Sequence, residues 1–330
     1  MAQFNGDTRK EGLLGSGLGK ALRNKRYIFW FWLLNLTLAE FGTSAFRKSA
    51  HAILDHSSYS QGLVQGFDLS VMIDLFARPE FGTMAAASMP AFYFSFVFFL
   101  AAAIFLPGVF QGYGSTYRLP REDFFRACGR NLWRFIRLLF LSGIVMAIAT
   151  GLLFALHGVL ERKAGESTNE LLAPEVRYGG LLIIFLIMAV FRIWFDLAEA
   201  DIVLNDQRAV RKSIAAAFRH TFRSLGRLLV SYVVTAIVAA IFLVVGIWIW
   251  MRLIPSESVL GAFLTAQLIL LLLLIPRFWQ RGIVVSYWQQ YMLVPVAPPI
   301  IVTPPPAPVV PQPVPVIPTP ITPAPEPSGS

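Results

Sequence analysis

The sequence predicts an all-α polytopic membrane protein with six transmembrane helices, cytoplasmic amphipathic elbow helices and a disordered Pro-rich tail. Three observations predict it. Six apolar runs each approach the ~20 residues that a helix needs to cross a hydrocarbon core of roughly 30 Å. The segments between the runs alternate between rich and poor in Lys and Arg. The composition is 56% hydrophobic and only 14% charged, with a mean hydropathy of +0.61. A soluble amphipathic helix keeps a polar face, so a soluble fold has no place for six such runs. Open strand edges are excluded from lipid, so runs of this length are expected to be helical.

Taken in order, the expected spans are Tyr27–Phe46, Pro90–Gly112, Leu138–Leu160, Gly179–Leu197, Leu228–Met251 and Val259–Pro276. They divide the chain into a basic cytoplasmic leader (1–26), the transmembrane domain (27–276), an interfacial segment (277–294) and the tail (295–330). The first run follows a basic stretch, and Thr43-Ser44-Ala45 loosely resembles a signal cleavage site. Its apolar core exceeds the 7–15 residues typical of a signal peptide, which favours a retained span.

Orientation follows the positive-inside rule. The first 26 residues carry six basic side chains, Tyr113–Arg137 six, Ala198–Arg227 six, and Arg277 and Arg281 follow the last run. The alternate segments carry seven: Arg47, Lys48, Arg78, Arg162, Lys163, Arg177 and Arg252. Twenty against seven places both termini in the cytoplasm and much of the net charge of +9 beside the anionic headgroups of the bilayer, the first expected partner. No nucleic-acid recognition module accompanies this charge, so no nucleic-acid partner is expected. The single Cys128 falls in a cytoplasmic segment with no activating His nearby in sequence, and reads as a buried or idle thiol.

Two basic amphipathic segments, 121–137 and 208–227, each run directly into the next span. A shift of 89 residues superposes Ala127 on Ala216, Arg130 on Arg219, Trp133 on Phe222 and Arg134 on Arg223. Such helices lie in the headgroup plane. The pattern suggests two related hairpins, spans 2–3 and spans 4–5, in a parallel repeat. On the outer side, 47–89 forms a long loop with Leu63, Val64, Phe67, Val71 and Leu75 on one helical face. After the last span, Trp279, Tyr287, Trp288 and Tyr291 interleave with Arg281, Gln289 and Gln290, as in an interfacial anchor. The tail holds fifteen of the 22 prolines and one charge, Glu326. It should favour extended polyproline II. Pro305–Pro308 and Pro315–Pro318 have the spacing of docking strands for a cytoplasmic protein. The lack of flanking Arg or Lys favours a spacer.

Ionisable residues within spans are expensive and mark candidate sites. They are Glu40 on the first span and Arg192 and Asp196 on the fourth, followed by Glu199 and Asp201. The spacing of four puts Arg192 and Asp196 on one face. One reading is a polar pocket or proton path through Glu40, Arg192 and Asp196. The other is a structural ion pair near the cytoplasmic end of the fourth span, with Glu40 near the outer interface. The mismatch in depth favours the second.

Other motifs fall short. Gly15-Ser16-Gly17-Leu18-Gly19-Lys20 resembles a phosphate loop, but Leu14 and Ala21 occupy positions that need Gly and Ser or Thr, and the segment reads as a flexible leader. His51, Asp55 and His56 are too few to expect a metal. No spacing matches a zinc-protease helix, a nucleophile elbow or paired catalytic carboxylates. Neither catalysis nor a cofactor is expected.

The strings 54–76, 121–142 and 196–229 resemble a group of uncharacterised bacterial six-span membrane proteins over most of residues 20–292. The last is loosely similar to the membrane domain that some bacteria fuse to glycerophosphodiester phosphodiesterases. The resemblance implies a bacterial inner-membrane location. It transfers no activity, because the chain carries no phosphodiesterase domain. Two functions stay open: a non-enzymatic membrane scaffold or assembly factor, and a transporter or export subunit with a path near Glu40 and Arg192.

Overall fold

The computed structural model of the chain describes residues 12–55, 86–166, 171–255 and 258–293, with six isolated positions between 70 and 82. The amphipathic stretch of the long outer loop, His56 and the Pro-rich tail lie outside these residues. The described residues form helices α1 Leu13–Arg23, α2 Lys25–Leu54, α3 Met89–Gly114, α4 Arg121–Gly165, α5 Leu172–Leu204, α6 Val210–Arg223, α7 Leu225–Leu253 and α8 Val259–Tyr287. A π-helical turn, Trp288–Met292, ends α8. No strand occurs among the described residues.

Among the described residues, five segments are long and apolar enough to cross a membrane: α3, α4, α5, α7 and Leu260–Met292. Their outer faces carry Phe92, Phe140, Leu152, Ile183, Val244 and Leu264, all exposed in the isolated bundle. An apolar surface of this extent needs lipid rather than water. α2, the sixth expected span, is 30 residues long. Asn35, Thr37, Glu40 and Thr43 dilute its apolar character, which sets it apart from the other five.

The long helices form a ring. α2 packs on α3, α3 on α4, α4 on α5 and α7 on α8, while α5 meets α7 and α8 meets α2. Two short amphipathic helices seat on the outside, α1 along α8 and α6 along α5. The glycine-rich part of the leader, within Leu13–Arg23, is therefore helical and not a flexible loop. Gly17 explains why it sits so close: a β-carbon there would lie 2.6 Å from Ile283 Cγ1 and 2.7 Å from the Ile283 backbone nitrogen. A β-carbon on Gly282 would lie 2.2 Å from the Gly17 carbonyl oxygen. Backbone meets backbone at this crossing, which only glycine permits.

α1 and α6 are copies of one device. Trp279 Nε1 on α8 donates to the Leu14 carbonyl of α1 at 2.9 Å, and Trp194 Nε1 on α5 donates to the Ile214 carbonyl of α6 at 2.9 Å. Both short helices break at one residue of similar backbone geometry, Asn24 (φ −109°, ψ 34°) and Ser224 (φ −125°, ψ 28°). Segment 121–137, expected as a separate elbow, has no such break. It is continuous with its span in the 45-residue α4. Phe124 and Cys128 pack its start against Gly108 of α3. The basic segments thus lead into the pairs α4–α5 and α7–α8, the third with fourth and fifth with sixth runs, rather than spans 2–3 and 4–5.

Arginines tie the Arg-rich end of the bundle together. Arg23 donates to the Ser115 carbonyl at 2.9 Å, just past α3. Arg134 donates to the Asp206 side chain at 2.7 Å, just past α5, and Arg227 donates to Tyr291 in the turn that ends α8. Cations beside helix C-termini also complement the macrodipole. Asp206 occupies the left-handed region (φ 48°) that follows a helix end, where Asp is among the tolerated residues. The hydrogen bond from Arg134, aided by Arg130 and Arg208, holds its carboxyl below the usual range against slight burial.

The segment 277–294, expected as a surface anchor, turns inward instead. Phe278, Ile283, Val284, Val285, Tyr287 and Trp288 are all buried. Gln289 accepts from Lys20 Nζ at 2.8 Å and donates to the Gly114 carbonyl at 3.0 Å, bridging α1 to the end of α3. The helix passes through Pro276 without ending. Its aromatics fill the space that α1, α5 and α6 enclose, so sequence polarity misread an inner surface as an outer one.

Candidate functional site

Among the described residues, the last third of α5 is the longest unbroken buried stretch: every residue from Phe195 to Val203 is buried. Three of them are acids, Asp196, Glu199 and Asp201. Buried carboxylates need partners, and each has one. Arg192 Nη2 lies 3.0 Å from Asp196 Oδ1, one turn away on α5. This is an ion pair by distance without hydrogen-bond alignment, since that oxygen has no hydrogen-bond donor. The hydroxyl of Tyr232, on α7, donates to Asp196 Oδ2 at 2.7 Å. Arg281, on α8, reaches Glu199 Oε2 at 3.4 Å. Trp288 Nε1 donates to Asp201 Oδ1 at 3.1 Å.

The cluster therefore joins three helices through one. Arg281 also stacks over the ring of Phe110 from α3, 5.6 Å from its centre. One turn away, Gln280 Nε2 donates to Thr235 Oγ1 at 2.9 Å and adds a second tie between α8 and α7. Three carboxylates face two guanidiniums, Arg192 and Arg281. Burial is uneven: the side chain of Asp196 is 1% exposed and that of Arg192 47%. Arg192 is the open flank of an otherwise enclosed group.

Glu40 does not join it. It pairs with Arg47 on its own helix at 2.7 Å, with both side chains more than half exposed. α2 packs on α3 and α8 rather than beside α5, so the sequence-predicted trio divides into a surface pair and a buried cluster. His51 pairs with Asp55 at 3.1 Å on the exposed end of α2. Cys128 is buried, with its sulfur 3.8 Å from the Phe105 carbonyl.

Sequence reasoning missed Tyr232, Arg281 and Trp288 as members of the site. A signal for one of them exists. A shift of 85 residues carries Arg192, Trp194 and Asp196 onto Arg277, Trp279 and Arg281. The two tryptophans anchor equivalent outer helices, and in the same register Asp196 and Arg281 carry opposite charges. Asp196 and Arg281 are thus counterparts on α5 and α8, both turned toward the shared interior.

Together the apolar helices, the bundle and its buried charges define a multi-pass membrane protein. Comparison with protein-family models, curated proteins and solved structures finds no match.

Proposed function

We propose that the chain is a non-enzymatic scaffold of a bacterial inner membrane, with α2 as the first of six crossings and both ends in the cytoplasm. One observation carries this reading: each buried acid of α5 already has a partner within the bundle. An arrangement of this kind acts as a clamp that sets helix register, the best-attested use of buried polar groups. The excess of basic residues in alternate segments, twenty against seven, supports the orientation. A cytoplasmic partner is the one role this reading offers the Pro-rich tail beyond that of a spacer. The test is in-cell crosslinking with affinity purification, comparing the full chain with one ending at Val294. Recovery of one partner from the full chain alone supports a tail-dependent scaffold. Identical recoveries from both would remove the tail from the argument.

A second reading, a transporter or export subunit, draws on two features of the cluster. It holds one more carboxylate than guanidiniums, and Arg192 is half open at its flank. Arg192→Gln separates the two readings. A growth or flux defect at normal protein abundance favours transport, and a defect that follows loss of abundance favours the clamp.

A further inference from the structure

At the Arg-rich end, a cavity of about 650 Å³ opens between α2, the end of α3 and the start of α4. Its volume lies in the range of small-molecule sites. Its walls are apolar and aromatic, among them Trp30, Phe31 and Leu34 of α2, Phe105 of α3 and Phe124 of α4. Its Arg26 end is not: Arg118 and Arg121 also line the cavity, on the connection whose Leu119 carbonyl accepts from Arg26.

The arginines differ in commitment. Arg26 donates to the Leu119 carbonyl at 2.6 Å and to the Tyr27 hydroxyl at 3.0 Å, which holds the 118–121 connection against α2. Its Nε is buried and has no hydrogen-bond partner. Arg118 and Arg121 are exposed, and neither has a carboxylate within ion-pair distance among the described residues. Asp123, two residues along α4 from Arg121, is already held by Arg126 at 3.0 Å.

The dimensions indicate what fills the groove. The α2 wall runs from Arg26 to Thr37. At ~1.5 Å per residue this is about 16 Å, close to half of a hydrocarbon core of roughly 30 Å. An apolar slot one leaflet deep, with a guanidinium cluster at its headgroup end, is complementary to one amphiphile. We propose that this groove is a binding site for a single anionic glycerophospholipid. An acyl chain lies along Trp30 and Leu34, and the phosphate sits between Arg118 and Arg121. Guanidiniums suit this role because they bind phosphate oxygens in pairs. The proposal is independent of the charge cluster and of the tail.

The test uses the full chain, purified into micelles containing equal amounts of phosphatidylglycerol and phosphatidylcholine, with retained lipid counted by native mass spectrometry. The expected result is one retained phosphatidylglycerol, preferred over phosphatidylcholine. Arg118→Gln with Arg121→Gln should lower that retention by about thirtyfold, the scale of losing two cations beside an anionic headgroup. Arg162→Gln with Lys163→Gln, at the opposite end of α4, should leave it unchanged. Arg118→Gln alone gives a smaller loss in the same direction and guards against a folding defect in the double variant. Equal retention of phosphatidylcholine would reduce the groove to an apolar filler site and overturn the proposal. So would displacement of the lipid by millimolar inorganic phosphate, which would mark a free-phosphate site. Unaltered retention in the double variant would overturn it as well.

Discussion

A single methyl group probes the seam between α1 and α8. Gly282→Ala places a β-carbon 2.2 Å from the Gly17 carbonyl oxygen, and backbone cannot move aside as a side-chain end does. We expect a loss of about 1–3 kcal/mol from overpacking, seen as a lowered thermal midpoint in detergent. Gly151→Ala, with nothing within 4 Å of the new carbon, is the control and should hold or slightly raise stability. At Asp196 the expected cost is larger. Asp196→Ala leaves Arg192 unpaired and Tyr232 without its acceptor; breaking a buried pair costs ~3–5 kcal/mol. The half-open position of Arg192 puts the value toward the lower end of that range. Asp196→Asn keeps an acceptor for Tyr232 and should cost less. Equal abundance and equal unfolding midpoints for all three proteins would refute the clamp.

Among elements, the two outer helices invite a paired comparison. Trp194→Phe and Trp279→Phe each remove one indole donor from one backbone carbonyl, at the same 2.9 Å. Each should cost about 1 kcal/mol, and the two costs should be similar. A large loss in only one would show that the helices are seated by different forces. α6 also carries a pH dependence. Burial pushes the His220 imidazole below its ordinary 6.5, Arg223 and Arg219 push it further, and Asp201 opposes them. Its backbone carbonyl accepts from Tyr287 of α8 at 3.2 Å. Because the released helix takes up the proton before the seated one does, seating is at full strength above pH ~6.5. It weakens as pH falls through the lower, seated value. Hydrogen-exchange protection across residues 210–223, taken relative to the intrinsic rate at each pH, should therefore fall on mild acidification, and His220→Gln should abolish that change. Both outer helices had a trace in the sequence. The basic amphipathic pattern of 208–227 marked the α6 stretch as helical. In α1, three closely spaced glycines suggested flexibility, because the pattern cannot show that Gly17 meets Gly282 far along the chain. The break at Ser224 and its absence in α4 were equally invisible: both segments have the same alternation of arginine and apolar residues.

For the molecule as a whole, hydrophobic runs were the legible part. Their lengths fixed the helices of the bundle, and only α2 fell short in apolar character. The charges were half legible. Arg192 and Asp196 share a face through local spacing, which sequence reports, whereas Arg281 and Trp288 reach the same cluster only after the ring closes. Segment 277–294 was misplaced for the same reason: polarity tells how much of a helix prefers the interface, not which helices surround it. Closure itself can be tested by a chain that begins at Asn24. Without α1, the Ile283 side of α8 loses its cover, and we expect a lower thermal midpoint and faster proteolysis near Gly282. Unchanged behaviour would make α1 an appendage.

The seating of α1 on α8 also sets a timetable. α1 leaves the ribosome long before α8, the helix it fits. At ~5–20 residues per second, the roughly 240 residues between Leu13 and Val259 occupy on the order of 10–50 s of synthesis. Throughout that interval the apolar side of α1 has no protein partner, and the membrane surface is the nearest place to shelter it. During synthesis α1 thus waits as a peripheral helix on the bilayer until α8 arrives to receive it.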